Sequence, residues 1–455
     1  MERLLSRRAL IQAAGVAGAA VAAGPLARTA TAWPGGTAAQ PSAYTHEATL
    51  AQEWTVALYD VVMAEGLTPP AAARVYAYAA IAAYEALVPG MPRHRSLGGQ
   101  LNELGALPRP PAGGRVDWPM AASAAYGRIA TTLFARSGRA ATHDTIRAVE
   151  ADHLDRRRAA GVPQDVLDRS VAWGRSVGRA VGEWAGQDGH AASLACTYTP
   201  PDEPWAWRPT PPNFRTDAFE PCAGSVRPFV LTSGAEVEPR PIPHAYSEDP
   251  SSEFYRQALT VYETGLALTD EQRAIARFWT DNPLVSGLPA GHWMLISLDV
   301  ERQEGLDLGH AAESRARLGI VLFDAFLSCW SIKYKLHLLR PVSYVRDHVP
   351  GASGWNTFVN SPPFPEYTSG HSVASTAAAA VMTDLHGHLA FTSHTRATGN
   401  LPARHYESFY AAADEAAISR LYGGIHYPMG IEEGVLHGDQ VGRTVLARLH
   451  TRRAR

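Results

Sequence analysis

Residues 311–341 read AAESRARLGIVLFDAFLSCWSIKYKLHLLRP. Apolar side chains fill most of this stretch at helical spacing, and the proline at its end cannot continue a helix. The stretch therefore predicts a long helix from Ala311 to about Leu339. It is the longest of a series of helical patterns, and together they predict an all-α fold.

Further helical patterns lie on both sides of this stretch, without a strongly alternating strand series. Thr68 followed by two prolines is typical of a helix start, and Thr269–Gln272 is a capping box. The other predicted helices cover 48–64, 68–86, 118–136, 143–160, 163–186 and 269–279, one begins near 370, and two flank the Gly423-Gly424 turn.

Residues 196–250 differ in composition, because they are rich in proline, tryptophan and short apolar pieces. Their tryptophans and Phe229 require burial, so we expect a long irregular crossover packed on the helices. The fold class predicted is an all-α helical bundle with long irregular loops. An N-terminal helical region at 33–250 and a C-terminal bundle at 251–455 form either two domains or one.

Residues 1–32 are predicted to be a signal peptide outside the fold. SRRAL at 6–10 resembles a twin-arginine export motif, residues 11–23 form a short apolar run, and Ala30-Thr31-Ala32 offers a cleavage site. An alanine-rich surface helix does not explain this order of features. We expect a periplasmic or extracellular protein with no membrane span in the mature chain.

Charge and cysteine content exclude several kinds of function. Removing residues 1–32 takes away four arginines and one glutamate, so the net charge of −3 becomes −6 and no nucleic acid is expected as a partner. In an exported chain Cys196 can pair with Cys222, whereas Cys329 is expected to be a buried thiol. Without CxxC or HExxH spacings, zinc and iron–sulfur sites have no support.

The end of the long helix carries cations. Trp330, Lys333, His337 and Arg340 follow i, i+3, i+7 and i+10 spacing and are predicted to share one face. Permanent cations on an apolar helix are costly unless an anion accompanies them. Side chains that reach solvent from a helix end are the simpler explanation of this pair taken alone.

Two later segments add an anion-binding helix start and a second histidine. Gly370 permits a close backbone approach, Ser369 adds a hydroxyl donor, and His371 can move protons near neutral pH. After Arg420, a double-glycine turn brings His426 back toward the same centre. Either segment alone is more typical of a helix cap or a structural histidine.

Together, the order K-x6-R-P, S-G-H and S-R-x5-H within residues 330–430 resembles the signature of the vanadium haloperoxidase and acid phosphatase superfamily. The resemblance implies a helical bundle of that type around a pocket for vanadate or phosphate. Three cations suit a tetrahedral oxyanion, and no carboxylate among them invites a divalent metal. The implied oxyanion-binding residues are Lys333, Arg340, Ser369, Gly370 and Arg420, with the histidines His371 and His426.

Two aromatics favour the haloperoxidase branch, namely Trp330 before the lysine and Phe364 in P-P-F-P-x-Y. The resemblance implies vanadate as cofactor with His426 as its vanadium ligand, and hydrogen peroxide, a halide and an organic acceptor as substrates. His371, His426 and Lys333 are the implied catalytic residues. Trp330 and Phe364 would form an apolar wall beside the halide, although most such aromatics are only core residues.

Asp281, in the segment FWTDNP, is by the same resemblance a candidate partner of Arg420. The chain departs from the superfamily pattern at Gly430, where many members have an aspartate that orients the last histidine. Two alternatives follow: Glu432, Glu433 or a backbone carbonyl takes that part, or the histidine is held less firmly. Thr368 also replaces the proline that usually precedes Ser-Gly-His.

Other functions stay open. The same pocket suits an exported acid phosphatase, which would hydrolyse a phosphate ester with His426 as nucleophile. The glycine at 430 also admits a non-catalytic oxyanion-binding protein. A haem peroxidase would need an axial histidine on a helix, and no pattern singles one out. Halide preference, acceptor and oligomeric state are not decided by the sequence.

Overall fold

The computed structural model describes residues 40–111, 113–399 and 401–453, so the predicted signal peptide lies outside the described residues. The all-α prediction is confirmed. The helices are α1 (Thr49–Glu65), α2 (Pro69–Leu87), α3 (Trp118–Leu133), α4 (Ala140–Ala159), α5 (Gln164–Ala185), α6 (His190–Ser193), α7 (Glu253–Leu266), α8 (Asp270–Phe278), α9 (Leu288–Gln303), α10 (Leu308–Leu336), α11 (Pro341–His348), α12 (Gly370–His386), α13 (Phe409–Tyr422) and α14 (Pro428–Arg448).

The predicted helix starts agree with the structure. Two prolines open α2 after Thr68, although the Thr68 side chain makes no capping hydrogen bond. Thr269 and Gln272 form the reciprocal bonds of the capping box at α8. Elements without a strong sequence pattern were missed, namely the helices α6, α7, α9 and α11 and the antiparallel pair β1 (Phe391–Ser393) and β2 (Arg404–Tyr406).

The end of the long helix differs from the prediction. Helix α10 stops at Leu336, and His337 adopts a left-handed conformation with φ of 55°. Arg340 is extended, as expected of a residue that precedes a proline, and it begins α11. Only Trp330 and Lys333 therefore share a helix face, so the prediction that His337 and Arg340 extend it was wrong.

Helix α10 lies at the centre of the molecule. It packs against α2 on one side and α12 on the other, and most of its residues are buried. One hydrophobic cluster includes Trp54, Ile81, Phe323 and Val373, so apolar contacts run from the N-terminal helices to the C-terminal ones. The predicted division at residue 250 stays a prediction.

The crossover between α6 and α7 is irregular and attached to the helices, as predicted. Trp207 and Phe229 are buried as predicted, whereas Trp205 is exposed, so the predicted burial was wrong for that residue. Cys196 and Cys222 form a disulfide within it, and Cys329 is a buried free thiol. Among the described residues, the helices lack the combination of length and apolar character that crossing a bilayer requires.

Candidate active site

The predicted pocket residues converge where α10, α12 and α13 end or begin. Lys333 lies in the last turn of α10, Arg340 precedes α11, and Arg420 lies in the last turn of α13. All three cations are buried, with at most 1% of each exposed. Burial of this much positive charge is costly unless a counter-charge compensates it.

A cavity opens beside these cations. Its lining includes the predicted Trp330, Phe364, Gly370, His371, Arg420, His426 and Asp281, together with Phe219 and Phe326. The predicted residues Lys333, Arg340 and Ser369 are not among the residues that line this cavity. Phe219 and Phe326 were not predicted, because a lone phenylalanine carries no signal that separates a cavity wall from a core.

Lys333 fixes the loop that leads into α12. Its ammonium donates hydrogen bonds to the carbonyl oxygens of Pro365 (3.1 Å), Glu366 (2.7 Å) and Thr368 (2.5 Å). These bonds use all three donors of the group. Burial lowers the pKa of Lys333 to about 8. The lysine therefore stabilises the loop and leaves its positive charge next to the cavity.

Arg340 has one nitrogen, with two N–H groups, that lacks a hydrogen-bond partner in the described part of the chain. Its Nε donates to Phe364 O at 2.9 Å, and its Nη1 donates to Ile425 O at 2.9 Å and to His426 Nε2 at 3.1 Å. Its Nη2 is buried and has no hydrogen-bond partner among the described residues. Burial lowers the pKa of this guanidinium to about 10. An anion bound beside Arg340 would satisfy these two N–H groups.

His426 directs the lone pair of its Nε2 atom at the guanidinium of Arg340. Because a guanidinium can only donate, His426 Nε2 must accept the bond from Arg340, and Nδ1 must carry the proton. That proton is donated to Glu366 Oε1 at 2.6 Å. Burial, followed by the charges of Arg340 and Lys333, lowers the pKa of His426 well below its ordinary value. The imidazole is therefore neutral and able to act as a ligand or a nucleophile.

Glu366, which contacts His426, is a site residue that the sequence analysis missed. It is fully buried, accepts from His426 and also from Tyr427 N at 3.2 Å. Burial raises its pKa to about 7, against the opposing charges of Lys333 and Arg340. The expectation that Glu432 or Glu433 orients His426 was wrong, since Glu433 pairs with Arg240. The available signal was a carboxylate inside the otherwise apolar P-P-F-P-E-Y segment.

His371 and Asp281 form a second polar group across the cavity. His371 Nε2 lies 3.3 Å from Asp281 Oδ2, and Asp281 Oδ1 lies 3.2 Å from Nδ1 of the buried His292. Burial and then the charge of Arg420 lower the pKa of His371 to about 4, against the opposing pull of Asp281. His371 is therefore neutral at neutral pH and can accept a proton.

Arg420 lies near Asp281, but in the described structure its hydrogen bonds go to other groups. Its Nη2 donates to Trp279 O at 2.5 Å and its Nε to Ser419 Oγ at 3.0 Å. Burial lowers its pKa to about 10, and the charge of Asp281 opposes that shift. Asp281 thus interacts with Arg420 through its charge, and their direct pairing stays a prediction.

The Ser369-Gly370 helix start stands against an aromatic wall. Ser369 caps α12 by accepting from Ser372 N, and a side chain on Gly370 would point toward Trp330 and Phe326. The rings of Trp330 and Phe364 are 4.9 Å apart, and Trp330 Nε1 donates to Phe219 O at 3.1 Å. An anion at Gly370 would therefore have apolar rings on one side and cations on the other.

These residues fit a tetrahedral oxyanion such as vanadate or phosphate. Arg420 and His426 line the cavity, and the buried Arg340, which contacts His426, has an unsatisfied guanidinium nitrogen. Lys333 adds a third buried cation. The carboxylates of Asp281 and Glu366 are both bonded to histidines. They leave the site with more positive than negative groups, which favours a bound anion.

Comparisons with known proteins give the following. The family model described as VCPO second helical-bundle domain matches residues 314–454. The structure of a bacterial vanadium-dependent iodoperoxidase is 34% identical in sequence, with a TM-score of 0.82. The match covers 90% of this chain and 98% of the iodoperoxidase chain. The structure of a holo-type bacterial vanadium-dependent chloroperoxidase is 16% identical in sequence and shares the fold, with a TM-score of 0.62. The match covers 84% of this chain and 93% of the chloroperoxidase chain. Among curated proteins, no sequence matches.

Proposed function

This chain belongs to the vanadium-dependent haloperoxidases, and on that premise we propose that it oxidises a halide with hydrogen peroxide while His426 holds vanadate. The halide loses two electrons to the peroxide, and with one proton the products are hypohalous acid and water. The acid then halogenates an organic acceptor. The observation that carries this proposal is the neutral His426 lone pair, which faces buried cations.

The chain's own residues divide the work in this proposal. Bound vanadate supplies a Lewis acid that makes peroxide electrophilic. Lys333, Arg340 and Arg420 balance the negative charge of the oxyanion and of the reacting oxygens. His371, which is neutral at neutral pH, accepts a proton from the entering peroxide and returns it to the departing oxygen. Its Nε2 is held by Asp281.

The aromatic wall supports a weakly hydrated halide. Phe219, Trp330 and Phe364 line the cavity beside Gly370. A large halide is weakly hydrated, so its transfer from water into such a site costs little hydration free energy. The positive charges of Lys333 and Arg340, which lie over the ring of Phe364, attract it. Because the relative that is 34% identical is an iodoperoxidase, we expect iodide to be oxidised more readily than bromide or chloride.

An activity comparison tests this proposal. The vanadate-loaded chain is assayed with peroxide and each of the three halides, using a phenolic dye as acceptor. The metal-free chain is assayed with an aryl phosphate, because the same His426 could attack phosphorus. Halogenation is the expected result. Phosphatase turnover without halogenation, or anion binding without turnover in either assay, would refute the proposal.

Substitution of His426 tests the ligand role. In His426→Ala the ring nitrogen that faces Arg340 is lost, so we expect halide oxidation to disappear and vanadate affinity to fall by at least 100-fold. Calorimetric titration with vanadate measures the affinity. His405→Ala, which alters an exposed histidine on β2, is the matched control and should bind vanadate as the wild type does.

Export belongs to the proposal as well. The twin-arginine-type motif at 6–10 and the small-residue site at 30–32 support secretion to the periplasm or beyond. Replacement of Arg7 and Arg8 by lysines should leave the protein in the cytoplasm. Cell fractionation measures this, and unchanged export of the variant would refute the twin-arginine route.

A further inference from the structure

We propose that Glu366 is the positioning residue of His426, and that Gly430 is required because the Glu366 carboxylate occupies the space of a side chain at that position. The inference rests on the proposed function, since the orientation of His426 matters only if this histidine holds the oxyanion. It assigns to the loop before α12 a carboxylate that the sequence resemblance places on α14.

The hydrogen bonds around Glu366 fix one tautomer of His426. Nδ1 of the imidazole lies 2.6 Å from Glu366 Oε1, and Nε2 accepts from Arg340 at 3.1 Å. A carboxylate at Nδ1 holds the proton on that nitrogen and makes Nε2 a stronger electron donor. The ring is thereby turned so that its lone pair faces the cations.

The backbone of Glu366 is held from two sides. Its N–H donates to Leu338 O at 2.8 Å, and its carbonyl accepts from Lys333 at 2.7 Å. A little further along the loop, Ser369 N donates to Gly430 O at 2.9 Å. The loop is therefore bonded to α10, to the segment after it and to the first turn of α14. The Glu366 carboxylate has little freedom to leave His426.

Gly430 leaves the room that this carboxylate needs. A Cβ atom built at position 430 would lie 2.8 Å from Glu366 Oε2 and 2.9 Å from Glu366 Cδ, and closer still to Oε1. To make room for a side chain at 430, the carboxylate would have to give up its hydrogen bond with His426 Nδ1. A glutamate at 366 and a side chain at 430 therefore compete for one volume, so the two positions are coupled.

A purely structural role does not account for Glu366. Its Oε2 is buried and has no hydrogen-bond partner among the described residues, and an unsatisfied buried oxygen reduces stability. An apolar residue would pack in this segment without that penalty. The arrangement is explained if the carboxylate acts on His426, which is the group that its other oxygen contacts.

Four variants test the coupling, with vanadate and inorganic phosphate as calorimetric probes. Glu366→Ala should weaken vanadate binding by roughly 10- to 100-fold, and Glu366→Gln by about tenfold. Gly430→Asp should also weaken it, because the new side chain displaces Glu366. The double variant Glu366→Ala/Gly430→Asp places one carboxylate in the same volume, and should bind at least fivefold more tightly than Glu366→Ala.

Controls separate this inference from its premise. Glu433→Gln, a nearby buried carboxylate on α14 that pairs with Arg240, should bind vanadate as the wild type does. Thermal melting and the histidine ¹⁵N spectrum show whether each variant folds and whether Nδ1 of His426 still carries the proton. If the double variant does not fold, Glu366→Gln decides, since amide and carboxylate have the same shape.

The outcomes are distinct. Weakened binding in folded Glu366→Gln, with recovery in the double variant where that variant folds, supports the inference. Wild-type affinity in folded Glu366→Gln or Glu366→Ala overturns it while the proposed function stands. A wild-type chain that binds neither vanadate nor phosphate overturns the proposed function and this inference together.

Discussion

His371 shows how single residues set the chemistry of the cavity. Burial and the charge of Arg420 favour its neutral form, whereas Asp281 favours the protonated form. Asp281 is itself bonded to His292, and the two histidines keep its pKa well below the usual range despite burial. Asp281 is thus permanently negative and bonded to His371, the proposed proton-transfer residue. Because this charge affects the pKa of His371, removing it should change the pH dependence of the reaction in a predictable direction.

We predict that Asp281→Asn moves the acidic limb of the pH profile of halide oxidation to lower pH. The carboxylate raises the pKa of His371, so its loss lowers that pKa below about 4 and keeps the ring neutral in more acidic solution. Steady-state rates measured across the acidic range test this. Asp299→Asn, remote from the cavity and beside the exposed His394, should not move the limb. A shift to higher pH would contradict the assignment.

At the scale of elements, α10 attaches the irregular crossover. Asp324 is fully buried and accepts from the amides of Phe229 (2.6 Å), Val230 (2.8 Å) and Leu231 (2.9 Å). One turn and a half further on, Trp330 donates to Phe219 O. The crossover thereby brings Phe219 to the cavity wall. The helix thus determines where an irregular segment can contribute to the site.

Asp324→Ala is expected to destabilise the protein through this segment. Three buried amides would lose their acceptor, at a cost of roughly 3 kcal/mol in the free energy of unfolding. Chemical denaturation measures the loss, and limited proteolysis should cut first within 196–250. Asp384→Ala removes a half-exposed partner of Arg317 and should change stability by less than about 1 kcal/mol. Equal losses in both variants would contradict the attachment role.

At the scale of the whole molecule, Glu313 joins distant parts of the chain. This buried residue of α10 lies 2.9 Å from His94 Nε2, 2.5 Å from Thr451 Oγ1 and 3.0 Å from Arg452 Nε. It therefore ties the loop after α2 and the segment after α14 to the central helix. Burial raises its pKa, but these hydrogen bonds outweigh burial and hold the pKa at about 2.

We predict that Glu313→Gln lowers the free energy of unfolding by about 3 kcal/mol at neutral pH. Because the folded-state pKa is depressed, the contribution of Glu313 is complete above the unfolded-state pKa and is lost as the pH falls toward about 2. The difference between wild type and variant should therefore shrink with acid. Denaturation curves at several pH values measure it. The exposed Glu263→Gln is the control, and a pH-independent difference would oppose the charge-based explanation.

The agreement between sequence and structure depends on how local each signal is. The capping box at Thr269 and the prolines at the start of α2 act within one helical turn, so the sequence located both helices. Helix α10 ends early because the residues before Pro341 turn to meet the loop before α12, where Arg340 donates to Phe364 O, 24 residues further along the chain. The pocket residues Lys333, Arg340, Arg420 and His426 were found because their spacing resembles a known pattern.

The sequence by itself determined the all-α class, most helix starts, and the family whose pocket residues this chain carries. Those features follow from hydrophobic periodicity, local capping and short motifs. Only the tertiary structure decided which carboxylate faces His426, because Glu366 and Gly430 are 64 positions apart and meet through packing of the loop on α14. Contacts between distant segments depend on which volumes are left free, and no local pattern encodes that.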